Sequence, residues 1–148
     1  ETAAVPAGAL NDVRILLVEG HAEARGALAD SLQLAGGAVV ACESGLSALE
    51  HLRRTDSGEL PHVIVSDMTL PGMDGSDTLA RIRELERGAP DRFPSPTPAV
   101  ALTSASRCED RIGALAAGFQ VYLAKPVEFS QLVGLIQNLA RTSSVERR

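Results

Sequence analysis

The sequence lacks a long hydrophobic run, a basic block and a cysteine framework. No apolar run approaches the ~18 residues that cross a membrane, and no basic-then-apolar signal segment opens the chain, so we expect a cytoplasmic protein without a membrane span in this segment. The 14 Lys and Arg residues are scattered among 19 acids, which argues against direct binding to nucleic acid. Cys42 and Cys108 fit no metal spacing and are expected to be reduced thiols.

The length and composition predict one globular domain with polar ends. A chain of 148 residues with 45% apolar residues can bury a single core without a stabilising disulfide or metal ion. Residues 1–11, "ETAAVPAGALN", are small residues interrupted by proline and glycine, and they are typical of an interdomain linker cut from a longer protein. We therefore expect a domain over residues 12–141 and a disordered polar tail over 142–148.

Five short apolar runs alternate with helix-like segments. The runs are rich in Val, Ile and Leu and do not alternate strictly with polar residues, which is typical of strands covered on both faces. Strict alternation of strand and helix predicts an α/β fold, a doubly wound five-stranded parallel sheet in three α/β/α layers. The predicted strands are Val13–Val18, Ala38–Cys42, Val63–Val65 leading into Asp67, Ala99–Thr103 and Phe119–Leu123.

Local signals place some of the helix ends and one long loop. Ser44 is a candidate N-cap for the second helix, and Ser106 with Glu109 three residues later forms a candidate capping box for the fourth. The segment "RGAPDRFPSPTP" holds four prolines and predicts an irregular loop before the fourth strand.

Polar residues follow the apolar runs where each predicted strand ends. In open α/β sheets the ligand site lies at the carboxyl ends of the strands. This rule brings together Glu19 and Gly20 after the first strand, Asp67 after the third, Thr103 after the fourth and Lys125 after the fifth. Each residue alone is more often a cap or part of the surface, but residues of this kind at matching strand ends indicate a site.

These residue types suit the transfer of a phosphoryl group. An acid pair and an aspartate would supply the oxygen ligands that Mg²⁺ prefers. Asp67 could attack phosphorus as a carboxylate nucleophile and become an acyl phosphate. The Lys125 ammonium and the Thr103 hydroxyl would then contact the charged oxygens of the transferring group.

From about Val13 to Ala140 the sequence resembles the receiver domain of two-component response regulators, which has a flavodoxin-like fold. The resemblance is carried by "ILLVEG", "VIVSDMTLPGMDG", "ALTS" and "YLAKP", in that order. It implies that Asp67 is the phosphoacceptor, Thr103 the switch hydroxyl and Lys125 the phosphate-binding lysine. It further implies a cis bond from Lys125 to Pro126, an aromatic switch residue at Tyr122 and a backbone carbonyl of Thr69 that faces the metal.

Gly20 departs from the pattern of the family. Receiver domains normally carry two adjacent acids at this point, whereas this chain keeps Glu19 and has glycine next. The resemblance then leaves Glu19, Asp67 and the Thr69 carbonyl as ligands of a weakened Mg²⁺ site. His21 is a less suitable replacement ligand, because Mg²⁺ favours oxygen over imidazole.

The resemblance implies a phosphoacceptor signalling domain rather than an enzyme. Its partners would be a sensor histidine kinase or a histidine phosphotransfer domain, and an output domain or protein on the face formed by the fourth helix, the fifth strand and the fifth helix. It allows homodimerisation, and a hybrid sensor kinase that carries the domain at its C-terminus is the favoured parent protein.

Three other functions stay open at this point. A pseudo-receiver would keep the fold as a phosphorylation-independent interaction module, as Gly20 suggests. A phosphatase of the haloacid dehalogenase type would need a second aspartate where Thr69 stands. A flavodoxin would need a Ser/Thr-rich phosphate loop after the first strand, and "EGHAEA" offers none.

Overall fold

Five parallel strands form one sheet in the order β2-β1-β3-β4-β5. The structure is a computed structural model that describes residues 5–104 and 108–146. The strands are Arg14–Val18 (β1), Ala38–Cys42 (β2), Val63–Asp67 (β3), Ala99–Ser104 (β4) and Val121–Lys125 (β5). The helices are Ala22–Leu34 (α1), Gly45–Arg54 (α2), Gly75–Gly88 (α3), Cys108–Ala117 (α4) and Phe129–Glu146 (α5). The predicted doubly wound fold is confirmed.

The central strands are covered on both faces, which is why they read as continuous apolar runs, whereas the edge strand β2 is largely exposed. One core layer joins β1 side chains such as Ile15 and Leu17 to Leu32 of α1 and Ile136 of α5. The other layer joins alternate residues of the same strands to α2, α3 and α4, with members such as Leu16, Leu52, Ile82 and Ala114. Successive side chains of each strand therefore enter opposite layers.

The fifth strand lies two residues later than the sequence predicted. Phe119 belongs to the core but precedes the strand, because the chain first turns at Gly118, where φ is +107°. β5 then runs from Val121 to Lys125. Lys125 is consequently the last residue of the strand rather than a residue of the following loop.

Both ends of the described chain carry structure that the composition did not indicate. Leu10 lies within the expected linker, yet its side chain is fully buried and its N–H donates to the carbonyl of Ala35. Val5 and Ala9 pack against the same core layer, and Gln137 of α5 donates to the carbonyl of Ala9, so several contacts dock this segment. At the other end α5 continues to Glu146, since nothing in residues 142–146 breaks a helix. The domain boundaries themselves stay a prediction.

Side chains cap two of the helices that position the site. Ser44 caps α2 as predicted, since its hydroxyl accepts a hydrogen bond from the N–H of Ser47. Asp74 caps α3 in the same way through the N–H of Asp77. The predicted capping box at Ser106 and Glu109 lies outside the described residues.

The proline-rich loop before β4 is irregular, as predicted, but it is tied to the domain at several points. Arg92 donates to the carbonyls of Leu52 and Thr55 at the end of α2, and Phe93 is buried in the core. Leu52 and Thr55 lie at the C-terminal end of α2, which is opposite to the end that follows the carboxyl end of β2. The loop is therefore held away from Asp67.

A buried ion pair fastens this loop to α3. Glu86 is 5% exposed, and its carboxylate accepts from Arg83 at 2.8 Å and from the N–H of Thr97 at 2.8 Å. Arg83 also donates to the carbonyls of Thr97 and Gly118, at 2.8 and 3.1 Å. One guanidinium thus connects α3, the entry to β4 and the end of α4.

No helix in the described part of the chain is long and apolar enough to span a bilayer.

We expect Glu86→Ala to lower the free energy of unfolding by about 3 kcal/mol, because it leaves the mostly buried Arg83 guanidinium without its counter-charge. Urea unfolding at pH 7 measures the change. Glu84→Ala, on the exposed side of the same helix, is the matched control and should change stability by less than about 0.5 kcal/mol. Equal effects of the two substitutions would contradict the role given to Glu86.

Candidate functional site

Three of the predicted site residues meet at the carboxyl ends of β1, β3 and β5. The Lys125 Nζ atom lies 2.5 Å from Oδ2 of Asp67 and 3.6 Å from Oε1 of Glu19. Both carboxylates are buried, with Asp67 5% and Glu19 3% exposed, whereas the lysine side chain is 40% exposed. A single cation therefore covers two buried acids on the side that faces solvent.

Each oxygen of the two carboxylates has a partner. The second oxygen of Asp67, Oδ1, accepts from the N–H of Thr69 at 3.0 Å. The second oxygen of Glu19, Oε2, accepts from the N–H of His21 at 3.0 Å. Buried carboxylates require such donors, because burial without them costs several kcal/mol.

The backbone around Asp67 is held by close packing against the start of α3. A Cβ atom at Gly75 would lie 2.4 Å from the carbonyl oxygen of Asp67 and 2.8 Å from Cα of Met68. Only glycine allows this approach, and the Gly75 N–H also donates to the carbonyl of Met68. Gly72 supplies the turn between the two elements with φ at +75°. The glycines of "LPGMDG" therefore fix the position of the Asp67 backbone, from which its side chain extends.

Lys125 is charged in this site despite its partial burial. Desolvation works against the ammonium, but the hydrogen bond to Asp67 and the charges of Asp67 and Glu19 outweigh it and raise the pKa of Lys125 above its ordinary value. Because the folded-state pKa is raised, this pairing stabilises the fold below the unfolded-state pKa and is lost as the pH rises through the folded-state pKa. The lysine keeps its charge throughout the neutral range.

Thr103 lies on β4, the strand next to that of Asp67, and Tyr122 lies on β5, the strand beyond it. Thr103 follows Leu102, the β4 residue paired with Asp67, and its side chain is 1% exposed. Its hydroxyl oxygen lies 3.5 Å from the carbonyl of Leu123 on β5, to which it donates. Tyr122 is half-buried and packs against the core layer under α4. The predicted cis bond between Lys125 and Pro126 is present.

Gly20 faces the ring of Pro71 in the loop after β3. A Cβ atom at Gly20 would lie 2.9 Å from Cδ of Pro71, closer than such atoms normally approach. A proline ring is not a flexible chain end that can swing aside, so any larger residue at position 20 requires the loop to shift. The sequence indicated the missing acid but gave no sign of this contact.

The sequence interpretation also missed Arg25. This half-buried arginine lies one turn into α1, and its guanidinium donates to the carbonyls of Glu19 and Gly20 at 3.0 and 3.4 Å. Its position in "EGHAEAR", one helical turn after the strand end, was the available signal. His21, considered as a replacement ligand, begins α1 as its N-cap, and its side chain is exposed.

The donor chemistry of the site fits a weak magnesium site. Carboxylate oxygens are among the ligands that Mg²⁺ prefers, and those of Glu19 and Asp67 lie on either side of one lysine here. The ammonium of Lys125 already balances part of the charge of the two carboxylates. Glu19, Asp67 and Lys125 together carry one net negative charge. Among the described residues no three His, Cys, Asp or Glu side chains lie close enough to hold a metal ion.

Comparisons of sequence place the whole domain within one family. The family model of the response regulator receiver domain matches residues 15–137. A 14.6 kDa protein from the sodA1 3′ region of Leptolyngbya boryana is 38% identical over 128 residues, which cover 86% of this chain and 90% of that protein. The response regulator protein FleR of Pseudomonas aeruginosa is 34% identical over 123 residues, which cover 83% of this chain and 24% of FleR.

A comparison of structures agrees with the sequence match. The receiver domain of the sensor histidine kinase PA1611 from Pseudomonas aeruginosa, solved with a magnesium ion coordinated in its active-site cleft, superposes with a TM-score of 0.73. It is 29% identical in sequence, and the match covers 87% of this chain and 98% of that domain.

Lys125 is the only lysine in the chain, so lysine labelled with ¹³C at Cε gives one side-chain resonance. We expect that resonance to titrate above the ordinary lysine pKa of 10.5. In Asp67→Asn the pKa should fall, because the hydrogen-bonding partner loses its charge while the burial remains. NMR pH titration of both proteins measures the difference, and an unchanged pKa in Asp67→Asn would show that the ion pair does not persist in solution.

Proposed function

The chain belongs to the response regulator receiver domain family, and we propose that Asp67 accepts a phosphoryl group from a histidine of a partner protein. The observation that carries the proposal is the buried Asp67 carboxylate at the end of β3, held by the Thr69 N–H on one oxygen and by Lys125 on the other. This geometry presents an ionised, oriented nucleophile beside a cation at the surface.

The proposed transfer requires one bond to form and one to break. A carboxylate oxygen of Asp67 attacks phosphorus, the bond between phosphorus and the imidazole nitrogen of the donor breaks, and that nitrogen takes up a proton. The product is an acyl phosphate on Asp67, with two negative charges on the phosphoryl group. Lys125 lies 2.5 Å from the attacking carboxylate and would remain beside the new charge.

Glu19, Asp67 and the backbone carbonyl of Thr69 would hold Mg²⁺ in this proposal. When bound, the metal supplies positive charge that lowers the cost of bringing the phosphoryl group to the carboxylate. Lys125 already supplies part of that charge, and Gly20 removes a ligand. The proposed metal site is therefore weak, with an affinity on the order of tenfold or more below that of a site with another carboxylate.

Thr103 and Tyr122 would convert the phosphorylation of Asp67 into a change of surface. The Thr103 hydroxyl donates to β5 over 3.5 Å, a long hydrogen bond that it can exchange for one to a phosphoryl oxygen. Movement of this hydroxyl frees the carbonyl next to Tyr122 on β5. The face formed by α4, β5 and α5 would carry the output, and α4 exposes Ile112 and Leu115.

The proposal assigns this domain a role as a phosphoacceptor and not as an enzyme. Its phosphodonor would be a sensor histidine kinase or a histidine phosphotransfer domain, and its target an output domain or protein. These reactions place the domain in the cytoplasm, where its phosphodonor is formed from ATP. Direct contact with nucleic acid is not part of the proposed role.

A pseudo-receiver is the second candidate, and Gly20 is the observation that favours it. In that case the same surfaces would bind a partner without phosphorylation of Asp67. The paired Asp67 and Lys125 argue for the acceptor, because a buried carboxylate and its lysine are costly to keep without a use.

We expect incubation with acetyl phosphate and an excess of Mg²⁺ to add one phosphoryl mass to the protein, and none to Asp67→Asn. Intact-mass spectrometry at neutral pH measures both. Asp91→Asn, which changes an exposed acid in the proline-rich loop held away from the site, is the matched control and should be modified like the wild type. An unmodified wild-type protein would favour the pseudo-receiver, and a persistent adduct on Asp67→Asn would refute the assignment of Asp67.

Gly20→Asp should tighten Mg²⁺ binding at least about tenfold, because it restores a carboxylate worth roughly 1.4 kcal/mol. Isothermal titration calorimetry without a phosphodonor measures the affinity. Gly20→Ala is the matched control, because its Cβ meets Pro71 in the same way but adds no ligand.

Both variants should unfold more easily than the wild type without metal, by about 1–3 kcal/mol, since Pro71 must shift to admit Cβ. An equal Mg²⁺ affinity in wild type and Gly20→Asp would mean that another group already fills the missing position.

A further inference from the structure

The edge strand β2 carries none of the usual protections against pairing. In the described part of the chain β2 pairs with β1 alone, so its outer edge has no neighbouring strand. Its sequence, "AVVAC", contains no charge and no proline, and no charged residue occurs from Ser31 to Cys42. Exposed edges in natural proteins are normally blocked by charged residues, proline or bulges. An unblocked edge of this kind indicates an interface.

The backbone hydrogen bonds show which groups of β2 point outward. The Ala38 N–H donates to Val13, and the Cys42 carbonyl accepts from Glu19, so Ala38, Val40 and Cys42 direct their backbone groups toward β1. The N–H and C=O groups of successive residues point to opposite edges of a strand. Those of Val39 and Ala41 therefore point toward the open edge.

We propose that two copies of this chain associate through β2, in antiparallel register about a two-fold axis at Val40. This register places Val39 of one copy opposite Ala41 of the other. Both residues present outward groups, so they can exchange both of their backbone hydrogen bonds, as a hydrogen-bonded antiparallel pair requires. Val40 then faces its own copy in a non-hydrogen-bonded pair, in which side chains approach most closely.

The features around β2 favour a second copy over a different partner. An uncharged strand offers no ion pairs by which a different protein could select it. Two copies of the strand also do not repel each other. The surface around it is mixed, because Ala38, Val39 and Val40 border Arg14, Arg54, Asp56 and Glu59, while three exposed apolar side chains lie on the strand or close to it in sequence. Val40 is 41% exposed, Leu34 at the end of α1 is 85% exposed and Leu46 at the start of α2 is 58% exposed. The remaining large exposed apolar side chains among the described residues, Ile112 and Leu115, lie on α4.

Analytical ultracentrifugation of the purified chain from about 1 to 500 μM tests the association. We expect a reversible monomer–dimer equilibrium, and Val40→Lys should weaken it at least about tenfold by placing like charges opposite each other. Leu115→Lys on α4 is the matched control and should leave the equilibrium unchanged. Circular dichroism checks that each variant is folded. Asp67→Asn should dimerise like the wild type, because the proposed interface does not depend on phosphorylation.

Cysteine cross-linking tests the register independently. In a background of Cys42→Ala and Cys108→Ala, Val40→Cys should form a disulfide-linked dimer under mild oxidation, because each Val40 faces its counterpart. Ala41→Cys should not, since it faces residue 39 of the other copy. A chain that stays monomeric at every concentration would overturn the proposal. So would a dimer that Leu115→Lys disrupts and Val40→Lys does not, or one that Ala41→Cys links more readily than Val40→Cys.

Discussion

The ion pairing of Lys125 with two buried carboxylates is the interaction on which the site depends. Glu19 and Asp67 have the same charge, and both are removed from water at adjacent strand ends. Two buried carboxylates at neighbouring strand ends are costly unless a cation and N–H donors compensate them. The lysine supplies the cation, and the backbone of His21 and Thr69 supplies the donors. The fold therefore holds the Asp67 carboxylate in a fixed orientation beside the lysine at the strand ends.

The parallel sheet explains why residues so far apart in sequence can form this arrangement. Asp67 and Lys125 are joined through β4, which lies between their strands, and Glu19 follows the strand on the other side of β3. Every strand runs in the same direction, so their last residues share one edge of the sheet. Gly75 completes the arrangement, because it lets α3 start directly against the backbone of Asp67.

The parts of the site that follow from strand ends could be predicted, and the parts that follow from packing could not. Asp67 and Lys125 were predicted because short apolar runs mark the strands that end at them. The start of β5 was placed wrongly because Phe119 is apolar for a different reason, its burial in the loop before the strand. The contact of Gly20 with Pro71 and the docking of Leu10 depend on distances between segments, which spacing along a sequence does not record.

The hydrogen bond from Arg83 to the carbonyl of Gly118 fixes the C-terminal end of α4. It ties the C-terminal end of the helix to α3 and to the entry of β4, while the opposite end lies near the end of β4 that carries Thr103. A rigid helix held at one end moves by tilting about that end. For a helix about 15 Å long, a tilt of about 10° displaces the free end by about 2.6 Å while the pivot stays in place. The buried Glu86 that orients Arg83 thus helps to hold the C-terminal end of a helix that exposes Ile112 and Leu115.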